Sequence, residues 1–367
     1  MIKKYDDKIG FREFFSVIFI VVASMATDTT PIMFAKKGLN AAWMVPILSA
    51  LFFMPSLSCI FSLLRLYKNK NLIDVIFHVA GKFFGYIFTI ALILIVFEYT
   101  ILSTREYADI LGTMFYLKTP SLFILFLLIV TSCYIASRGF TVLGSLCWFV
   151  YPYMQVVILL LIPTIWVQMD FNQIFPIGGP GLGVLLKTSI TSTTIYDTLL
   201  FLAVFFPKVR TYKEFKSATL WGLSISVLQI ALYTLTYITV FGYLTFINMN
   251  YPFHQITRLV EIGRFITNTE VLYLGFWAII SSVRFSIFIY VIAEISTTLL
   301  KTNRKKTLIP LIGFIIFIIA ILPENYTKYI LIFRTTAIKY LWVYIAGLPI
   351  LLWIIAKLKG EFKNEKD

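Results

Sequence analysis

The sequence predicts an all-α integral membrane protein with about ten transmembrane helices. Three observations favour this class: an apolar composition, a series of apolar stretches about 20 residues long, and two polar interruptions at matching places in the chain. Of the 367 residues, 59% are hydrophobic and 14% are charged, and the mean hydropathy is +0.86. Soluble domains are typically about 25% charged, so this composition excludes an ordinary soluble domain.

The apolar stretches define the predicted spans one after another. In chain order they cover residues 12–35, 41–65, 83–113, 120–137, 142–168, 183–206, 217–247, 270–300, 307–323 and 337–358. The first apolar run lacks a small-residue cleavage site and continues as a span, so we do not expect a cleaved signal peptide. We expect residues 1–367 to form a single transmembrane domain.

The distribution of basic residues predicts the orientation of the chain. If the N-terminus is cytoplasmic, 21 of the 32 Lys and Arg residues lie at cytoplasmic ends of spans and nine lie at the other face. Cytoplasmic loops carry an excess of Lys and Arg, so both termini are predicted to be cytoplasmic. The formal charge of +14 therefore mostly reflects the orientation of the chain in the membrane. The basic clusters are short and do not favour a nucleic-acid partner.

Signatures of soluble enzymes and of metal sites are missing from the sequence. Cys59, Cys133 and Cys147 fall inside predicted spans without a CxxC spacing, so we expect packing roles for them. His78 and His254 lie far from any cysteine, which leaves a zinc site without ligands. No nucleophile motif and no P-loop is present. We therefore predict no catalytic residues, no metal and no cofactor.

A few charged side chains nevertheless lie inside predicted spans. The clearest are Asp28, Glu98, Asp197, Arg284 and Glu294. A charge at the bilayer centre costs roughly 2.5–3.5 kcal/mol on insertion scales, so each of these side chains should face protein or water. They mark either an interior polar path or interhelical ion pairs, and the sequence leaves both possibilities open for Glu98 and Arg284.

Asp109 and Glu294 have an ordinary structural interpretation. Asp109 lies one helical turn after Arg105, a spacing typical of an ion pair near a helix end. Glu294 lies toward the predicted cytoplasmic end of its span, where we expect it either to extend to the membrane surface or to pair with the basic segment 301–306.

The two intramembrane aspartates occupy corresponding positions in two halves of the chain. Asp28 lies in ATDTTPIMFA and Asp197 lies 169 residues later in TIYDTLLFLA. Each half, about 12–168 and 183–358, holds five predicted spans, and an odd number gives the halves opposite orientations. Pro31 disfavours helix just before it, which predicts a break near residues 24–30. The hydroxyl-rich stretch 188–198 also favours a break, but the evidence for it is weaker, because such hydroxyls often bond only to their own helical turn.

Six segments resemble the spore germination permeases, the B subunits of nutrient germinant receptors, within the amino acid–polyamine–organocation superfamily. In chain order they are LNAAWMVPILSALFFMPS, AGKFFGYIF, REYADILGTMFYLKTP, IFPIGGPGLGVLL, FFPKVR and YPFHQITRLVEIGRFITNTEVLYLGFWAI. The resemblance covers almost the whole chain. It implies a LeuT-like fold with ten helices, of which the first and sixth are broken near the midplane. The chain departs from the family pattern at ATDTTP, where a Gly-rich turn is common, and at Asp197, where Glu is frequent.

The resemblance also implies a function and partners. A receptor of this family senses a small nutrient, typically an L-amino acid, in the spore inner membrane. Its partners are a membrane A subunit and a lipoprotein C subunit. We expect the ligand to bind between the first, third, sixth and eighth spans, with the backbone of the two breaks holding its polar ends. Asp28 or Asp197 would complement an ammonium group, or would pair with a cation or with Arg284. The predicted ligand-binding residues are Ser24, Thr27, Asp28, Thr29, Glu98, Tyr99, Thr191, Thr194, Tyr196, Asp197 and Arg284.

Two other functions use the same polar interior. A secondary permease for an amino acid or a polyamine would share the fold and the site. A channel for ions or water could use the same path, and ion flux through the purified protein would distinguish it.

Overall fold

The computed structural model describes residues 8–68, 70–260, 270–322 and 326–362, except the side chains of residues 272 and 326–339. These residues are almost entirely helical, and the only β-type pairing among them is a single parallel bridge between Ile9 and Val209. Within the described ranges, seven helical segments are long and apolar enough to cross a membrane: Thr30–Leu66, Leu72–Met114, Phe140–Gln168, Leu182–Lys208, Tyr212–Phe241, Tyr273–Leu299 and Tyr340–Leu358. A shorter apolar helix covers Ser121–Ser137. The predicted class, a multi-pass helical membrane protein, is confirmed.

The described residues of the first half of the chain form six α-helices. They are α1 (Phe11–Ala23), α2 (Thr30–Gly38), α3 (Val45–Leu66), α4 (Leu72–Met114), α5 (Ser121–Ser137) and α6 (Phe140–Ile165). Helix α4 bends at Gly81, whose φ of 77° favours glycine, and the part after the bend matches the predicted span 83–113. Together α1 and α2 cover the first predicted span, and each of the next four predicted spans corresponds to one helix.

In the second half, the residues that the structure describes form eight α-helices, three of them short. They are α7 (Leu182–Thr191), α8 (Asp197–Leu202), α9 (Tyr212–Phe241), α10 (Tyr243–Phe246), α11 (Pro252–Arg258), α12 (Glu270–Leu299), α13 (Lys305–Ile321) and α14 (Tyr326–Leu358). Helices α7 and α8 cover the sixth predicted span, and α9, α12, α13 and α14 cover the last four. Helices α10 and α11 lie in the connection between α9 and α12.

The first and the sixth predicted spans are both interrupted. A 3₁₀ turn at Ser24–Ala26 follows α1, and α2 begins at Thr30 with Pro31 in its first turn, where a proline is tolerated. The predicted break near residues 24–30 is thus present. A second 3₁₀ turn, Ser192–Tyr196, separates α7 from α8. We call residues 24–29 the first break and residues 192–196 the second break.

The ends of the two interrupted spans lie side by side in opposite order. The backbone N–H of Ile9, just before α1, donates to Lys208 O at 2.9 Å, just after the sixth span. At the other end, Asn40 Nδ2 donates to Ile174 O at 3.0 Å and to Pro176 O at 2.7 Å, just before the sixth span. The two spans therefore run antiparallel, as an inverted repeat requires. Helix α1 is central: it packs against α6, α9 and α12, and all of its residues from Phe14 to Ala23 are buried.

Candidate ligand-binding site

The first break is held by side chains from three other helices. Tyr237 on α9 donates its hydroxyl hydrogen to Ala26 O at 2.9 Å. Trp277 on α12 donates its indole N–H to Thr27 Oγ1 at 3.1 Å. Glu106 on α4 accepts a hydrogen bond of 3.1 Å from the backbone N–H of Thr29. An interrupted helix in a membrane must have its backbone groups satisfied by the protein, and Tyr237 and Glu106 each satisfy one such group of the first break.

Asp28 makes two contacts that fix its carboxylate inside the protein. Oδ1 accepts a hydrogen bond of 2.8 Å from the backbone N–H of Thr30, at the start of α2. Oδ2 lies 3.6 Å from Nη1 of Arg284, and the two side chains are 1% and 0% exposed. A helix N-terminus and a guanidinium both attract a carboxylate electrostatically. Asp28 is therefore part of a buried ion pair.

Hydroxyl groups in and around the second break bond mostly to their own helical turn. Thr193 donates to Ile190 O at 2.8 Å, and Thr194 donates to Thr191 O at 3.3 Å. Tyr196 instead reaches another helix and donates to Pro46 O at 2.6 Å. Asp197 is the first residue of α8 and is 7% exposed. The second break is thus anchored to α3 through Tyr196.

A cavity of about 180 Å³ lies between the two breaks. A cavity of about 150 Å³ can hold a benzene-sized molecule, so this one has room for a small organic ligand. Its polar lining residues come from α2, α4 and the sixth span: Thr30, Lys36, Lys37, Glu98, Tyr99, Ser103, Glu106, Thr188, Ser192, Thr194 and Asp197. The rest of the lining is apolar: Met25, Met33, Phe34, Ile95, Leu102, Ile195, Leu341 and Ile345.

The charged groups of the cavity differ in position. Glu98, Glu106 and Asp197 line its interior, and Glu106 is 2% exposed. Lys36 and Lys37 are exposed residues in the last turn of α2. Among the described residues, no three His, Cys, Asp or Glu side chains lie close enough to hold a metal ion. Glu98, Glu106 and Asp197 thus place three carboxylates along one cavity, and carboxylates attract cations.

Four of the eleven predicted ligand-binding residues line this cavity: Glu98, Tyr99, Thr194 and Asp197. Ser24 and Thr27 instead line a smaller pocket of about 20 Å³, together with Tyr107 and Trp277. Asp28 and Arg284 form the buried pair described above, and the backbone of Thr29 binds Glu106. The hydroxyl of Thr191 donates to Lys187 O and Thr188 O in its own helix, and that of Tyr196 to Pro46 O.

Sequence reasoning missed Glu106, although a signal for it was present. Glu98, Leu102 and Glu106 are spaced at i, i+4 and i+8, which places them on one face of α4. Ser103 lies on the same face, and all four residues line the cavity. Thr30 and Ser192 could not have been found in this way, because their exposure to the cavity depends on where each break begins.

Two ion pairs outside the cavity confirm sequence-based interpretations. Arg105 Nε lies 3.3 Å from Asp109 Oδ1, the expected i,i+4 pair, and Arg105 also donates to Ala320 O at 3.1 Å. Glu294 pairs with Lys305, as predicted, and also with Lys208 at 2.6 Å. The three cysteines are free thiols, as expected for packing residues.

Interrupted spans beside a carboxylate-lined cavity are features shared by many multi-pass membrane transport proteins. The chain belongs to the spore germination protein family, because the model of that family matches residues 8–329. The resemblance drawn from the sequence motifs is thereby confirmed.

Curated relatives agree with this assignment. Spore germination protein KB of Bacillus subtilis (strain 168) is 20% identical over 88% of this chain and 87% of its own length. Spore germination protein A2 of the same organism is 26% identical over 72% of both chains. For spore germination protein B2, also of Bacillus subtilis, the match is 20% identical, and the chain spans about 65% of that protein's length.

Proposed function

We propose that the protein is the membrane subunit of a spore nutrient germinant receptor, which binds a small germinant in the cavity between the breaks and triggers germination. In this proposal the fold is the LeuT-like arrangement of ten spans in two inverted halves, with both termini cytoplasmic. The partners are a membrane A subunit and a lipoprotein C subunit in the spore inner membrane. The cavity, in a chain of this family, is the observation that carries the proposal.

The lining of the cavity suggests the chemistry of the ligand. Carboxylates of Glu98 and Asp197 in a mostly apolar space favour an ammonium group attached to a small apolar body. The backbone N–H groups of Thr29 and Thr30 already donate to protein carboxylates, so the first break has little left to offer a ligand carboxylate. Lys36 and Lys37 line the cavity, and their ammonium groups can attract a ligand carboxylate. In this proposal the ligand is an L-amino acid with a small apolar side chain. Its ammonium group lies near Glu98 and Asp197, and its carboxylate lies near Lys36 and Lys37.

A direct test measures binding to the purified protein in lipid nanodiscs. The probes are the common L-amino acids and the amines obtained by removing their carboxyl groups. We expect at least one probe to bind, and Asp197→Asn to weaken that binding by about tenfold or more, which corresponds to about 1.4 kcal/mol. The matched control is Asp170→Asn, because Asp170 is exposed and its side chain accepts hydrogen bonds from the nearby Asn172 and Gln173. Equal affinities of the wild type and Asp197→Asn would contradict the site.

A second test separates a receptor from a permease. Spores that lack the gene should fail to respond to the bound nutrient, and the Asp197→Asn strain should need a higher concentration of it. Proteoliposomes with the wild-type protein should accumulate little of the same nutrient. Rapid uptake by the liposomes together with normal germination of the deletion strain would instead favour the secondary permease.

A further inference from the structure

Arg284 is one of the largest side chains that are fully buried in the described part of the protein. Its Nη1 donates to the hydroxyl of Tyr107 at 2.6 Å and lies 3.6 Å from Asp28 Oδ2, and its Nη2 donates to the hydroxyl of Tyr99. Its Cζ also lies 5.5 Å from the ring centroid of each of the two tyrosines. An isolated guanidinium in this position would cost several kcal/mol, so these partners are what permits its burial.

The partners of Arg284 have the composition of a cation-binding site. Asp28 supplies a carboxylate, and Tyr99 and Tyr107 supply hydroxyl oxygens and aromatic faces, all of which attract a cation. These three side chains come from the first break and α4, whereas the cation is carried by α12. We call Asp28, Tyr99 and Tyr107 the socket.

The socket also joins the first break to its surroundings. Tyr99 lines the cavity, and the ring of Tyr107 stacks on Trp277 with 4.4 Å between ring centroids. Trp277 in turn donates to Thr27. A cation in the socket therefore orders α4, α12 and the first break together.

We propose that the socket is a binding site for a guanidinium-type cation that Arg284 fills permanently, so that the first break needs no dissolved cation to hold its shape. An arginine stays protonated throughout the pH range in which proteins fold. Its charge on α12 therefore neutralises Asp28 whatever the concentrations of Na⁺, K⁺ and H⁺ outside. This inference does not depend on the identity of the germinant.

The test removes the guanidinium group of Arg284 by mutation and then supplies free guanidinium in solution. Arg284→Ala removes the guanidinium and leaves Asp28, Tyr99 and Tyr107 around the vacated space. We expect low millimolar guanidinium, which is too dilute to denature, to raise the thermal midpoint of this variant in nanodiscs by about 3 °C or more. The wild type should not respond. Urea at the same concentration is the control for solvent effects, and Arg284→Ala/Asp28→Asn is the control for the site.

Each result decides for or against the socket. Stabilisation of Arg284→Ala by guanidinium that disappears in the double variant supports it. Equal stabilisation of both variants, or none in Arg284→Ala, overturns it.

If Arg284→Ala cannot be purified, the wild type still tests the proposal. Its thermal midpoint should be the same in Na⁺, K⁺ and N-methylglucamine at equal ionic strength and pH. A midpoint that depends on which cation is present would show that a dissolved cation holds the break, and would overturn the proposal.

Discussion

Asp28 belongs to the first break and is 1% exposed, whereas Asp197 follows the second break and is 7% exposed. The first is paired with a guanidinium from α12 and with the start of α2. The second lines the cavity. The two aspartates lie at matching places of two antiparallel spans, so the place of an aspartate within its span does not determine its role. The surroundings of the two carboxylates differ, because Asp28 lies beside a cation carried by the protein and Asp197 lines a cavity.

The two breaks also differ in their hydrogen bonds to the rest of the protein. Polar groups of the first break receive hydrogen bonds from Tyr237 and Trp277 and donate one to Glu106. Hydroxyls of the second break bond mainly to their own turn. A break held from three sides is suited to a structural role, while one whose polar groups line a cavity is suited to contact with a ligand.

The largest expected effect compares the same substitution at the two aspartates. Asp28→Asn leaves the guanidinium of Arg284 buried without its carboxylate, and breaking such a pair costs about 3–5 kcal/mol of stability. Asp197→Asn should change stability by less than about 1 kcal/mol, because its carboxylate lines a cavity. Thermal or SDS-induced unfolding of both variants measures the difference. If the two variants lose equal stability, the assignment of separate roles is wrong.

A second prediction concerns His254, which supports the first break indirectly. Its ring packs edge-on against Trp277, with 4.7 Å between ring centroids, and Trp277 donates to Thr27. Burial and the neighbouring charge of Arg258 lower the pKa of His254 to about 3, from an ordinary value of 6.5. The folded protein therefore resists protonation of this ring, while the unfolded chain accepts a proton below about pH 6.5.

The sign of the pH effect follows. The contribution of His254 to stability is intact above about pH 6.5 and is lost progressively as the pH falls toward 3. Between pH 7 and pH 5 this loss amounts to about 2 kcal/mol. Stability of the wild type and of His254→Gln, measured at both pH values, should show a smaller loss in the variant. His78→Gln is the control, because His78 is 47% exposed. A loss that is the same in wild type and His254→Gln would exclude this role.

Much of this arrangement could be predicted from the sequence. Apolar stretches located the helices because hydrocarbon tolerates little else, and Pro31 with its polar neighbours located the first break. The pairing of Asp28 with Arg284 could only be left open as one of several alternatives. Residues 256 positions apart meet through the packing of α12 against the first span, and no local pattern encodes which partner an acid meets.

The smallest expected effect compares two buried tyrosines that each donate to one backbone carbonyl. Tyr237→Phe removes the bond to Ala26 O in the first break, and Tyr196→Phe removes the bond from the second break to Pro46 O. Each change leaves a buried carbonyl with one donor fewer, and a loss of about 1 kcal/mol is expected for each. Their effects on ligand binding should differ. Tyr196 directly precedes Asp197, so Tyr196→Phe should loosen the cavity wall and weaken binding severalfold. In Tyr237→Phe the first break keeps its contacts to Arg284 and Glu106, so binding should change little. Calorimetric titration of both variants with the probe that binds the wild type measures this, and a larger affinity loss in Tyr237→Phe would mean that the first break, not the second, forms the adaptable wall of the site.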